Sequence, residues 1–180
     1  MKQHWDLSII GGRLLDEKGA PIREALVGAA ARKDTAIART NARGRFALSI
    51  NATGPVRIVA RKKGHVFGIR RDVKPGTQDL EMVLPRAGGM TGKVIARPMP
   101  KRFRVIVNRI EPDRRVRATG CSVLRLPGGL FSVNRLSPGV YELAAEGDGL
   151  VGEPFVIDLE PGEIIVGIEL RLRRPQAAIG

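Results

Sequence analysis

Gly44-Arg45-Phe46-Ala47-Leu48 is a turn glycine followed by large apolar residues at every second position. It returns 85 residues later as Gly129-Leu130-Phe131-Ser132-Val133. Side chains of a strand alternate between faces, so this spacing is that of a strand burying one side. The flanking segments repeat as well. Gly12-Arg13-Leu14-Leu15 returns as Gly92-Lys93-Val94-Ile95. Lys74-Pro75-Gly76 before Leu80-Glu81-Met82-Val83-Leu84 returns as Glu160-Pro161-Gly162 before Ile168-Glu169-Leu170-Arg171-Leu172. The offset drifts only from 80 to 88 residues, too long for a solenoid repeat and right for a small domain. The expectation is two tandem copies of one module, residues 1–86 and 87–180, the second more divergent. Pro85-Arg86-Ala87-Gly88-Gly89 reads as a short linker between them, a tether allowing little swing.

The rest of the chain keeps to period two. Ser8–Leu15, Ala25–Arg32, Thr35–Thr40, Arg45–Ile50, Pro55–Arg61, Val66–Val73 and Gln78–Leu84 read as seven strands. Turn chemistry separates them, as in Asp16-Glu17-Lys18-Gly19-Ala20-Pro21 and Asn41-Ala42-Arg43-Gly44. The second copy reads as Met90–Ala96, Phe103–Arg109, Val116–Thr119, Ser122–Leu126, Leu130–Leu136, Val140–Ala145, Val151–Leu159 and Ile164–Leu172. No segment sustains a helical period. Turns at this spacing belong to an all-β sandwich, here two in tandem with about seven strands each.

Composition agrees. Of 180 residues, 43% are hydrophobic but only 4% aromatic, so the cores must be aliphatic. One cysteine, Cys121, leaves the fold without an internal disulfide, and a buried inert thiol is its expected state. No run of about 18 apolar residues offers a membrane span. Met1–Asp6 leads into apolar alternation without the continuous apolar stretch of a signal peptide.

Several of these motifs resemble one family. Gly12-Arg13-Leu14-Leu15-Asp16-Glu17-Lys18-Gly19-Ala20-Pro21-Ile22, with Ala25 and Val27, resembles the opening of the carboxypeptidase regulatory-like domain. Thr40 with Gly44 and Phe46 is similar to its T-x-x-x-G-x-F core, and Gly54–His65 to a later strand. The likeness covers residues 7–85. The second copy matches more loosely, through Gly92, Gly129-Leu130-Phe131 and Pro138-Gly139-Val140-Tyr141-Glu142-Leu143. Its opening turn departs, with Arg97-Pro98-Met99-Pro100 in place of Asp-x-x-Gly. The resemblance implies a transthyretin-like Greek-key sandwich, and a place in the cell envelope or outside the cell. These motif residues determine a fold that hosts many roles, so they say little of function.

Catalytic patterns are absent from the sequence. The two histidines, His4 and His65, stand apart from any nucleophile or ligand cluster, and neither a zinc spacing nor a nucleophile elbow occurs. The expectation is no enzyme, no cofactor and no metal. Charge is the remaining signal. The net charge is +13, unevenly spread: residues 86–135 hold 12 Lys/Arg against 2 Asp/Glu, and residues 136–180 hold 3 against 8. In a hairpin, Arg102 and Arg104 would share a face with Arg115 and Arg117. Such crowding is mildly unfavourable without an anionic partner. These four arginines are the candidate partner-binding site. The expected function is a structural or interaction module that binds a protein partner through edge strands and this basic face. Self-association against the acidic second half is one form of it. An anionic polymer such as nucleic acid or acidic polysaccharide is the alternative. Carbohydrate stands behind it, because only Trp5 and Phe67 are aromatics free of the core pattern.

Overall fold

The computed structural model describes residues 7–32, 34–119 and 121–175. Trp5 and His4 lie outside them. The chain divides into two compact units, residues 1–86 and 87–180. Both are all-β, and among the described residues there is no α-helix, hence none long and apolar enough to cross a membrane.

The first unit contains β1 (Ser8–Leu15), β2 (Leu26–Ala30), β3 (Thr35–Arg39), β4 (Arg45–Ile50), β5 (Val56–Arg61), β6 (Gly68–Val73) and β7 (Leu80–Val83). They form two sheets, ordered β4-β1-β7 and β3-β2-β5-β6. β1 runs antiparallel to β4 and parallel to β7. Alternate residues supply one shared core, including Ile10, Leu14, Phe46 and Leu48 from the first sheet and Val27, Ile58 and Ala60 from the second. Thr40 is buried in this unit. Its hydroxyl donates to the Ile22 carbonyl at 2.6 Å and accepts from the Ala25 amide at 2.9 Å. It thereby satisfies two main-chain groups that lie outside any ladder.

The second unit contains β8 (Gly88–Ile95), β9 (Arg104–Glu111), β10 (Arg114–Arg117), β11 (Ser122–Arg125), β12 (Leu130–Leu136), β13 (Gly139–Gly147), β14 (Leu150–Gly152), β15 (Phe155–Leu159) and β16 (Ile164–Arg173), with a 3₁₀ turn at Pro127–Gly129. Its order β12-β8-β16 repeats β4-β1-β7, and β10-β9-β13-β15 repeats β3-β2-β5-β6. Again β8 is antiparallel to β12 and parallel to β16. β11 is added outside β12, and β14 joins the ends of β13 and β16 at a corner. The core gathers Met90, Phe131, Val133, Leu143 and Leu170, among others.

The repeat holds at atomic detail. A Cβ on Gly12 would stand 2.2 Å from the Leu80 carbonyl oxygen and 2.8 Å from Cζ of Phe46. A Cβ on Gly92 would stand 2.1 Å from the Ile168 carbonyl oxygen and 2.7 Å from Cζ of Phe131. In both units an aromatic ring covers a strand glycine, where backbone and ring approach too closely for any side chain. The turn glycines match too. Gly44 at φ +71° would press a Cβ to 2.6 Å from the Leu14 carbonyl oxygen, and Gly129 at φ +81° to 2.5 Å from that of Val94.

Three details differ from expectation. Among the described residues the second unit has nine strands, two more than the first. The single strand expected over Val151–Leu159 is broken at Glu153-Pro154, where proline removes a ladder donor. Gly88 and Gly89, read as linker, are the first residues of β8. They are glycines for lack of room: a Cβ on Gly88 would lie 2.8 Å from the Glu163 carbonyl oxygen, and one on Gly89 2.9 Å from that of Val133.

Arg86 closes the first unit. Its side chain donates to Glu17 Oε1 at 2.7 Å and its amide to Oε2 at 3.0 Å. The hydrogen bond from Arg86 holds the Glu17 carboxyl down to about 2, from an ordinary value of 4.5. A depressed carboxylate contributes stability that is fully present above its unfolded-state value and lost as pH falls through its folded-state value. Glu17→Gln should therefore destabilise the first unit at neutral pH. The gap to wild type should shrink below pH 4.5 and close near pH 2. Thermal melts of both proteins across that range check it, and a gap independent of pH would refute the pairing as its cause.

Candidate functional site

β9 and β10 form an antiparallel hairpin with Arg115 opposite Ile110 and Arg117 opposite Asn108. Directly opposed residues share a face, so Arg104, Asn108, Arg115 and Arg117 lie on one side of the sheet. β13 continues that face, with Glu142 opposite Asn108 and Glu146 opposite Arg104. The arginines therefore stand among acids. Arg115 pairs with Glu142 at 3.0 Å, and Arg104 pairs with Glu146. Glu142 is largely buried and also accepts from Asn108 at 3.4 Å. Arg104 lies four residues from Asn108, about 13 Å along the strand at the usual rise. The four arginines thus do not meet in one cluster. Arg115 and Arg117 share β10, while Arg102 precedes β9 in a bend and stands with Arg104 at the other end of the sheet. Among the described residues, no carboxylate forms an ion pair with Arg102 or Arg117.

Arg102 and Arg104 border an open cleft of about 560 Å³, with Arg125, Glu146 and Asp148 as its other charged edges and Phe103, Leu150 and Val151 as apolar wall. Local sequence builds it. A Cβ on Gly147 would collide with the Arg102 carbonyl oxygen at 2.2 Å, so glycine there lets the 102–103 segment lie against the end of β13. Asp148 Oδ2 accepts from the Lys101 amide at 2.7 Å, and Arg125 donates to the Phe103 carbonyl at 2.7 Å. The result is a rim of mixed charge, three arginines with Glu146 and Asp148, beside an apolar wall open to solvent.

The sheet edges complete the picture. β6 and β15 are equivalent outer strands, and they differ. β6 carries Arg70 and Arg71, a register shift against β5, and Asp72 at φ +57°. Charge and a bulge are devices that keep an edge from pairing with another chain. β15 runs in unbroken register along β13 and exposes Phe155 at 44% and Val156 at 54%. β11 is likewise paired on one side only and leaves Leu124 in solvent. The sequence reading missed Glu142, Glu146, Arg125 and the apolar edge. Only the last had a local signal, the unrelieved run Phe155-Val156-Ile157.

Other candidates resolve more simply. Cys121 is half-buried, and burial raises its thiol above the usual range, which favours the protonated form. Phe67 is half exposed, but the Arg61 guanidinium sits 4.9 Å over its ring, occupying a face that a sugar would need. Among the described residues, no cluster of three or more His, Cys, Asp or Glu is placed to hold a metal ion.

The sequence matches no protein-family description and no curated protein. Solved structures are similar to it. The Bacillus anthracis TIE protein shares 16% identity over 92% of this chain and 34% of its own, with a TM-score of 0.39. The streptococcal ancillary pilin shares 11% over 96% and 64%, at 0.36. Shaft pilin SpaA from Lactobacillus rhamnosus GG shares 9% over 97% and 100%, at 0.37. The chain thus spans about a third of the first of these proteins and under two thirds of the second.

Proposed function

We propose that this chain is a non-catalytic interaction module that binds a protein partner through its edge strands and its basic face. The observation that carries this is the contrast between equivalent edges: β6 is bulged and sets Arg70 and Arg71 beside its exposed Ile69, while β15 runs in regular register with Phe155 and Val156 in solvent. An unprotected edge is a ready site for strand addition, in which main-chain hydrogen bonds give affinity and alternate side chains give selectivity. Glu142 and Glu146 among the arginines favour a protein surface of mixed charge over a polyanion, which would meet both acids along its track.

The test is capture of partners by wild type and by Arg102→Glu/Arg117→Glu. These are the two arginines to reverse, because Arg104 and Arg115 hold intramolecular acids. Partners held at about 50 mM salt should be released by the double reversal and weakened at about 500 mM, where screening is short-ranged. If one partner survives both changes undiminished, the basic face is solvated surface and takes no part in binding.

A further inference from the structure

The sheet β10-β9-β13-β15 has two unlike edges. All its neighbours are antiparallel, so strand directions alternate across it. If β10 points down, then β9 points up, β13 down and β15 up. The next vacant position beyond β15 calls for a strand pointing down, the direction of β10 itself. A second copy in the same orientation therefore offers β10 to β15 as an antiparallel neighbour, and the sheet continues from molecule to molecule.

Side chains agree with direction. In β10, Arg115 and Arg117 lie on the outer face and Val116 on the inner one. In β15, Val156 and Asp158 lie on the outer face, opposite Glu142 and Val140, and Phe155 and Ile157 on the inner one. Joining the edges with Arg117 opposite Asp158 sets Arg115 opposite Glu160 outside, and Val116 opposite Leu159 inside. Glu153 and Glu160 flank β15 and extend its acidic character. Two copies of β10 would bring arginines together and are penalised, while a pair of β15 strands would close as a dimer.

We propose that copies of this chain associate head to tail through β10 of one and β15 of the next. The occupant of the open β15 edge is then a second copy of the chain. This inference rests on the interaction-module reading and names one partner for it. The contact is heterologous, so association continues with concentration and does not stop at a dimer. Few residues pair and most of the charge lies at the rim, so it is weak and salt-sensitive.

Light scattering and sedimentation of the full chain test it, with circular dichroism confirming that each variant is folded. Wild type at about 50 mM salt should exceed twice the monomer mass and keep rising with concentration, then fall back to monomer near about 500 mM. Asp158→Arg alone and Arg117→Glu alone should each stay monomeric, since each opposes like charges at the junction. An equimolar mixture of these two variants should recover association, because every junction in it again joins opposite charges. The double variant Asp158→Arg/Arg117→Glu should recover it too. Wild type that stays monomeric, a mass that plateaus at the dimer, or single variants that associate like wild type would each overturn the inference. A monomeric wild type that still captures another protein through Arg102 and Arg117 would overturn it while leaving the proposed function standing.

Discussion

Phe131→Ala should destabilise the second unit by about 3–5 kcal/mol, and Phe46→Ala should do the same to the first. Both rings are buried, at 1% and 6% exposure. Each is the sole large aromatic on its central three-stranded sheet, β12-β8-β16 or β4-β1-β7, and each lies on a glycine that offers nothing to fill the space it would leave. A leucine neighbour can turn inward to shrink a cavity, whereas a strand backbone locked in two ladders cannot. The cost should therefore sit near the top of the range. Units this small bury a modest share of their surface, so such a loss is a large part of each one's stability. Chemical denaturation followed by circular dichroism reads it. The transition of the altered unit should move to lower denaturant while the other stays in place. Unchanged midpoints in both variants would sink the equivalence of the two rings.

Adding a single methyl group should be nearly as damaging. Gly92→Ala puts a carbon 2.1 Å from the Ile168 carbonyl oxygen, and Gly12→Ala puts one 2.2 Å from that of Leu80. These oxygens belong to the strands that pair in parallel with β8 and β1. They cannot retreat without opening the ladder that joins the first and last strands of the unit. Overpacking of this kind costs typically 1–3 kcal/mol, and an unyielding backbone places it at about 3 kcal/mol. Gly19→Ala is the control. Gly19 sits at φ +79° with nothing within 4 Å, so alanine meets only the backbone preference, about 1 kcal/mol. Equal melting temperatures for Gly92→Ala and Gly19→Ala would show that the close approach is relieved by a small shift.

The glycine and phenylalanine pairs were legible because they sit at fixed offsets in an alternating pattern, and alternation is a local property. What escaped was nonlocal or ambiguous. Gly88-Gly89 has the composition of a linker, and nothing nearby in sequence says that Leu159, Glu163 and Val133 crowd it. The break at Glu153-Pro154 was written in the proline, yet the apolar residues on both sides masked it. For the arginines, the strand face was readable and the neighbours were not. Glu142 and Glu146 lie 27 and 42 residues from Arg115 and Arg104, and only the pairing of β9 with β10 and β13 brings them together. Charge counted along a chain overstates charge on a surface whenever distant strands intercalate.

In each unit the first and last strands run parallel and side by side. Gly12 to Leu15 lie along Leu80 to Val83, and Gly89 to Ile95 along Ile164 to Arg171. Tension applied through the two ends of a unit pulls such neighbours past one another along their length. Every rung of the ladder then bears load at once, where an antiparallel terminal pair would peel one rung at a time. Forced rupture is a matter of rate, and shearing many bonds together makes that rate small. A fold of modest thermodynamic stability can in this way be a stiff link in a chain under load.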